Sequence, residues 1–366
     1  MGALAKRSPV ELAVAAGKAV LRQVKPEEID QVIVGNVLGA GHGMNIARQI
    51  GVGLGVPLDK TAFTVNMMCA SGMQAAILGA QAIQLGHAQV VLCGGTESMT
   101  NAPYLLDRAR AGYKLGNGVL VDSLLRDGLV DSFDHEHMGL SAERLAEQYR
   151  IGRRAQDAFA VASQRKHAAA QARGAFNDEL VEVDGLQFDE HPRPGTTLDD
   201  LAALKPAFKA DGTVTAGNAS GINDGAAMLV VCDETAANER GWRPLAVVRD
   251  WASVGCDPRT MGLGPVYATR KVCDQQTCRT DDFDTVEINE AFAVQTLACM
   301  QELQLRERLL NPDGGAIALG HPIGASGARL LVHLSHRIAR GETTRGLATL
   351  CAGGGMGVAV VLEASV

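Results

Sequence analysis

Apolar residues recur at helical spacing in some stretches and in short continuous runs in others, and their alternation predicts the architecture. Residues 9–24 read as a helix, Gln31-Val32-Ile33-Val34 as a strand, 44–54 as a short helix and Ala62-Phe63-Thr64-Val65 as the next strand. Met73, Ala76, Ile77, Ala80 and Ile83 line one face of a helix that Gly86 closes, and Val90-Val91-Leu92-Cys93 follows as a strand ending in Gly94-Gly95. Further on, Ser141 to Gln148 and Arg154 to Ala172 read as helices, the second with a solvated Arg/Lys/Gln face. Strands alternating with helices predict a mostly parallel sheet covered on both faces.

The pattern then returns about 254 residues later. Ile29-Asp30-Gln31-Val32-Ile33-Val34-Gly35-Asn36 aligns with Phe283-Asp284-Thr285-Val286-Glu287-Ile288-Asn289-Glu290. Ala70-Ser71-Gly72 aligns with Ala325-Ser326-Gly327, each opening a helix, and Leu330, Leu331, Leu334 and Ile338 mark the second. Val91-Leu92-Cys93-Gly94-Gly95 answers Thr349-Leu350-Cys351-Ala352-Gly353, and residues 225–231 answer 357–362. Two similar α/β halves follow: residues 1–95 with 225–240, and 241–366. Residues 96–224 are an insertion whose polar, Gly/Pro-punctuated make-up suits a lid-like subdomain. The second half opens with a predicted strand, Pro244-Leu245-Ala246-Val247-Val248, whose counterpart in the first half is missing.

Composition narrows the function. Of 366 residues 46% are hydrophobic and 20% charged, as in ordinary globular proteins, while 42 glycines and 4% aromatics suit close-packed layers. A net charge of −7 without a basic stripe argues against nucleic-acid binding. Eight cysteines with no CxxC pair read as reduced thiols, and a cytoplasmic location is expected. No apolar run approaches the length of a membrane span.

Chemistry concentrates in four places. Cys69 sits at or just before the first turn of its helix, where free N–H groups and the dipole favour a thiolate, and small neighbours allow close approach. Asn289-Glu290-Ala291-Phe292 ends an apolar strand; His321 lies between Gly314-Gly315 and Gly324-Ala325-Ser326-Gly327; Cys351 precedes a run of three glycines. Each has a plain alternative. A cysteine is usually a small buried hydrophobe, His321 could be structural, the glycines could make a tight turn, and Asn289 could cap the next helix. Together, at strand ends brought near one pseudo-symmetric centre, they fit acyl transfer, with a thiolate nucleophile, an imidazole base, a second thiol moving a proton and N–H donors for oxyanions. Gly39 to Gly43 lacks dinucleotide-loop spacing, and His135-Glu136-His137 lacks the further ligand that zinc needs, so no metal is expected.

The set Cys69-Ala-Ser-Gly-Met, Asn289-Glu-Ala-Phe, Gly320-His321-Pro-Ile-Gly-Ala-Ser-Gly and Cys351-x-Gly-Gly-Gly-Met-Gly resembles the thiolases, acetyl-CoA acyltransferases, over nearly the whole chain. The resemblance implies a five-layered α-β-α-β-α sandwich of two similar α/β halves, with the insertion as a loop domain that binds coenzyme A. It implies that Cys69 is the acylated nucleophile and that His321 activates it. His321, with a water held by Asn289, would form one oxyanion hole, and the N–H groups of Cys69 and Gly353 the second. Cys351 would exchange the proton at the α-carbon of the other acyl-CoA. Leu129, His137, Met138, Arg193, Phe208, Ala216 and Ser220 match coenzyme A contacts.

The implied reaction is reversible condensation of acetyl-CoA to acetoacetyl-CoA with release of CoA, or thiolysis of another 3-ketoacyl-CoA. Coenzyme A thioesters are then substrates, with no permanently bound cofactor, and a homodimer or homotetramer is expected. His137-Met138-Gly139 leans toward short-chain members and Met73-Gln74 toward degradative ones. Two departures stand out: the family's first strand and its Arg-Thr-Pro turn are missing, and residues 181–191 form a shorter segment than usual. The missing strand raises a rival reading, a catalytically impaired thiolase-like binding or assembly protein. A ketoacyl-synthase-like enzyme would need His or Asn where Cys351 stands.

Overall fold

Two four-stranded sheets carry the repeat. The computed structural model describes residues 2–365. The first half contains α1 (Pro9–Val20), β1 (Gln31–Gly35), α2 (Ile46–Gly53), β2 (Thr61–Val65), α3 (Ser71–Gln84) and β3 (Val90–Ser98). Between β3 and the half's last strand lie β4 (Tyr104–Leu106), β5 (Leu120–Asp122), α4 (Met138–Tyr149), α5 (Arg153–Ala172) and α6 (Leu198–Ala202). β6 (Asp224–Cys232) and α7 (Glu234–Arg240) close the half. The second half contains β7 (Val247–Gly255), α8 (Gly264–Gln276), β8 (Thr285–Ile288), α9 (Ala293–Leu303), α10 (Ala316–Leu319), α11 (Ser326–Ala339), β9 (Arg345–Ala352) and β10 (Met356–Glu363).

The first sheet runs β2-β1-β3-β6 and the second β7-β10-β9-β8. β1 pairs in parallel with β3 (Gln31 opposite Val91), as β8 pairs with β9 (Thr285 opposite Gly346). β6 returns antiparallel on β3 as β10 does on β9. The repeat is therefore a repeat of topology.

Strand alternation sorts side chains into layers. Val32, Val34, Val90 and Leu92 face outward against Ala13, Ala47 and Ile50 of α1 and α2. Ile33, Val91 and Cys93 face inward with Ile77 of α3 and Leu330 and Leu334 of α11, and Ala348, Leu350, Val358 and Val360 of the second sheet join them. The opposite face of that sheet meets α8 and α9 through Val266, Val272, Val294 and Ala298. The five layers are helix, sheet, helix, sheet, helix.

The Ala-Ser-Gly repeat has a packing cause. A Cβ on Gly72 would sit 2.9 Å from the Ala328 nitrogen, and one on Gly327 would sit 2.6 Å from the Met73 nitrogen. Helices α3 and α11 thus touch backbone to backbone at their first turns, which brings the loops ahead of them together.

Three expectations change. β7 begins at Val247 and runs to Gly255 rather than spanning 244–248, because its register on β10 (Gly255 opposite Met356, Val247 opposite Glu363) sets its length. As an edge strand it tolerates polar positions, and Arg249 projects to pair with Glu363 at 3.6 Å. α4 starts earlier than Ser141, at Met138, because the His137 ring caps it. α5 buries polar residues that looked solvated: Ser163 donates to Glu290 at 2.7 Å, Gln164 to the Ile317 carbonyl, and Asp157 accepts from Asn218. Among the described residues, β6 pairs only with β3, and nothing stands on it as β7 stands on β10. A groove of about 1500 Å³ runs along that edge, lined by Leu229, Val231, Ala80 and Leu331.

Candidate active site

The segment joining β2 to α3 is a tight turn held by its own side chains. Asn66 Oδ1 accepts from the Met68 N–H at 3.0 Å, and Ser71 Oγ accepts from the Met67 N–H at 2.9 Å while donating to the Met68 carbonyl. Met68 is left at φ +51°, a strained conformation for a side-chain-bearing residue. The turn presents Cys69 one residue ahead of the α3 N-cap, Ala70. The sulfur faces two N–H groups, those of Gly353 and of Cys69 itself. Burial nevertheless pushes the thiol up to about 11, the two N–H groups pull it down, and the Glu97 charge adds to the rise. The resting group is thus a thiol; the thiolate expected from the helix N-terminus is overruled by desolvation.

His321 comes from the second half. Gly320, at φ +94° against Asn223, turns the chain, and His321 lies only 6% exposed. Its Nδ1 is 2.6 Å from Ser326 Oγ, which donates to the Pro322 carbonyl at 3.0 Å. A hydroxyl has one proton, so Ser326 accepts from Nδ1–H and Nε2 keeps its lone pair. Nε2 has no hydrogen-bond partner among the described residues. Burial, reinforced by Arg329, holds the imidazole down to about 4 and therefore neutral at pH 7. The fully buried Asn289 places its amide 3.5 Å from the His321 ring, and its Oδ1 is unpartnered among the described residues. It caps no helix, since the N-cap of α9 is Phe292.

Cys351, the next-to-last residue of β9, is fully buried, and its thiol is pushed well up by burial and then by the nearby Cys69 sulfur. The glycines that follow do form a tight turn, with Gly354 at φ +79° and Gly355 at φ +80°. That turn is also what aims the Gly353 N–H at Cys69. Ile323, two residues beyond His321, packs in one cluster with Leu38 and Met99, against Met68, Cys69 and Leu129. Two thiols and paired N–H donors thus meet from both halves, and the neutral imidazole stands two residues from Ile323, which packs against Cys69.

The other expected residues divide into near and far. Met138 Sδ lies 3.7 Å from where a Gly353 Cβ would stand. His137 stacks on Phe208 at 4.6 Å, its Nδ1 accepting from Gly139, and Phe208 meets Phe292 edge-on at 6.3 Å. Ser220 donates both its N–H and its hydroxyl to the Ala291 carbonyl. Ala216 and Arg193 lie exposed, the latter donating its N–H to Gln164. Glu136 is engaged by Arg144, and among the described residues no group of three or more His, Cys, Asp or Glu is placed to hold a metal.

Sequence reasoning missed two residues. Ser326 was read only as a helix opener, although its place five residues after a histidine was a usable signal. Glu97, a carboxylate two residues beyond the glycines that end the apolar run of β3, is fully buried.

Comparison with known proteins identifies the family. Residues 1–235 match the family model described as thiolase, N-terminal domain, and residues 242–364 that of thiolase, C-terminal domain. The chain is 49% identical to acetyl-CoA acetyltransferase of Chromobacterium violaceum and 48% identical to that of Escherichia coli, each time over 99% of this chain and 95% of the relative. Human mitochondrial 3-ketoacyl-CoA thiolase superposes with a TM-score of 0.97 at 42% identity, covering 100% of this chain and 95% of that one. Its complex with CoA superposes equally well, covering 94% of that chain.

Proposed function

The chain belongs to the thiolase family of acyl-CoA acyltransferases, and we propose that it works through an acyl-enzyme on Cys69 with a preference for short-chain substrates of the acetoacetyl-CoA type. The observation that carries this reading is the meeting of Cys69 with the Gly353 N–H and Cys351, on a wall packed against Ile323 of the loop that carries His321, whose Nε2 has no partner among the described residues.

The protons at rest are those thiolysis needs. His321 Nε2 takes the Cys69 proton as the sulfur attacks the ketone carbon of a 3-ketoacyl-CoA. When the carbon–carbon bond breaks, the Cys351 thiol protonates the departing acetyl-CoA enolate, which leaves an acyl-Cys69. The N–H groups of Cys69 and Gly353 hold the acyl oxygen. Incoming CoA gives its thiol proton to the Cys351 thiolate and attacks the acyl group, and the Cys69 sulfur leaves with the proton from His321. Condensation is the same path reversed. The neutral starting state costs no charge separation in a desolvated pocket, and attack creates the charges that the N–H groups and His321 then stabilise.

We assign residues 96–224 as the loop domain that receives coenzyme A. Leu129, His137, Met138 and Phe208 would line its apolar arm, Ser220 and Ala216 its flank, and Arg193 would meet an anionic end. The short-chain preference is supported by the Met138 side chain, whose Sδ lies 3.7 Å from where a Gly353 Cβ would stand, and by relatives named acetyl-CoA acetyltransferase. The reading as a silent binding protein is not favoured, since every group the chemistry needs is present. Brief exposure to acetyl-CoA followed by peptide mass spectrometry tests the proposal. An acetyl adduct on Cys69, absent in Cys69→Ser, is the expected result, and an adduct confined to another cysteine would refute it.

A further inference from the structure

We propose that Glu97 is a positioning residue for acylation: a buried carboxylate that holds the His321 loop of one half in register with the Cys69 wall of the other. The inference rests on the Cys69–His321 reading above. Glu97 stands near the end of β3 with no exposed surface. Its Oε1 accepts from Asn36 Nδ2 at 2.8 Å and the Leu38 N–H at 3.0 Å. Its Oε2 accepts from the Val37 N–H at 3.0 Å and the Gly324 N–H at 2.9 Å. Three of these donors lie just after β1, and the fourth belongs to the loop between His321 and Ser326.

The consequences run to both partners of the reaction. Leu38, fixed through its N–H, packs with Ile323 and Met99 against Met68 and Cys69. Gly324, fixed through its N–H, lies in the short span whose two ends are tied to each other by the Ser326–His321 bond. The fit admits no side chain, for a Cβ on Gly324 would stand 2.6 Å from Glu97 Oε2 and 2.8 Å from the Thr96 carbonyl. One carboxylate is thus the shared anchor of the nucleophile's wall and the base's loop, while touching no reacting atom. A carboxylate is required because all four contacts are N–H donors. Glutamine would offer one oxygen and turn an amide NH₂ toward two of them, leaving buried donors unpaired.

If Glu97 acts through His321, the two losses must not multiply. The single-turnover rate of Cys69 acetylation by acetyl-CoA is measured by mass spectrometry on the full chain for wild type, Glu97→Gln, His321→Ala and the double variant. A displacement of about 1 Å lowers such a rate about 100-fold, so Glu97→Gln is expected to lose about that much, with half-saturation little changed. The double variant is expected to be no slower than His321→Ala alone. Wild-type rates in Glu97→Gln, or a double variant slower by the product of the two losses, overturn the inference. Where Glu97→Gln lacks a cooperative melt, Gly324→Ala, which keeps the carboxylate and pushes the loop off it, takes its place in the same cycle with the same two outcomes. A wild type that leaves Cys69 unlabelled overturns the acyl-enzyme reading itself; a labelled wild type with multiplicative losses overturns the role of Glu97 alone.

Discussion

Ser326 Oγ lies 2.6 Å from His321 Nδ1, and this contact decides which imidazole nitrogen is the base. Ser326→Ala removes the acceptor and frees the ring to turn or change tautomer. Acylation of Cys69 is expected to slow about tenfold to a hundredfold with little change in half-saturation. Single-turnover labelling by acetyl-CoA checks this, and a rate unchanged from wild type would show that the ring is held by other contacts.

His321 is held down to about 4 from its ordinary 6.5 by burial and then by Arg329. Between those values the unfolded chain binds a proton that the folded chain does not. Stability therefore rises with pH across that window and is lost as pH falls from about 6.5 toward 4. The melting temperature of wild type should drop over this range, and more steeply than that of His321→Asn. Parallel curves would place the acid sensitivity elsewhere.

His333 moves the opposite way. It sits 2.8 Å from Glu179 and 3.2 Å from Asp313, and although burial pulls it down, Glu179, Asp313 and Glu287 raise it to about 9. A raised group contributes its stability below its unfolded value and loses it as pH climbs through the folded one. Chemical denaturation between about pH 6.5 and 9 should show wild type losing on the order of 3 kcal/mol that His333→Gln does not lose.

Gly327→Ala would drive a methyl to 2.6 Å from the Met73 nitrogen, where α11 crosses α3. A cost of about 1–3 kcal/mol is expected, seen as a lower denaturant midpoint. Gly195→Ala, with open space around it and a φ outside the left-handed region, is the control expected to shift it little.

Among the described residues, β10 is paired on both edges and β6 on one. Amide exchange should therefore be faster at the N–H groups on the free edge of β6 than anywhere along β10. Equal protection would show that something covers that edge in solution.

Much of the architecture was legible because it is written locally. The period of apolar residues marked the strands and helices, and Ala70-Ser71-Gly72 against Ala325-Ser326-Gly327 disclosed the two halves. What that pairing meant, a backbone contact at Gly72 and Gly327, needed both helices in place. β7 was misplaced by a few residues because its limits come from β10, over a hundred positions away. The buried polar face of α5 was read as solvated because its partners, Glu290, the Ile317 carbonyl and Asn218, are remote in the chain.

On its own, the sequence determined which residues could do chemistry here: Cys69, Asn289, His321 and Cys351 stood out from residue type and from their place at strand ends. The tertiary structure alone decided their condition. It decided that Cys69 rests as a thiol, that His321 is neutral with Nε2 free, and that Glu97 ties both loops together. The reason is physical: protonation follows desolvation and nearby charge, and a hydrogen bond such as that of Gly324 to Glu97 joins residues 227 apart, so neither can be read from neighbours along the chain.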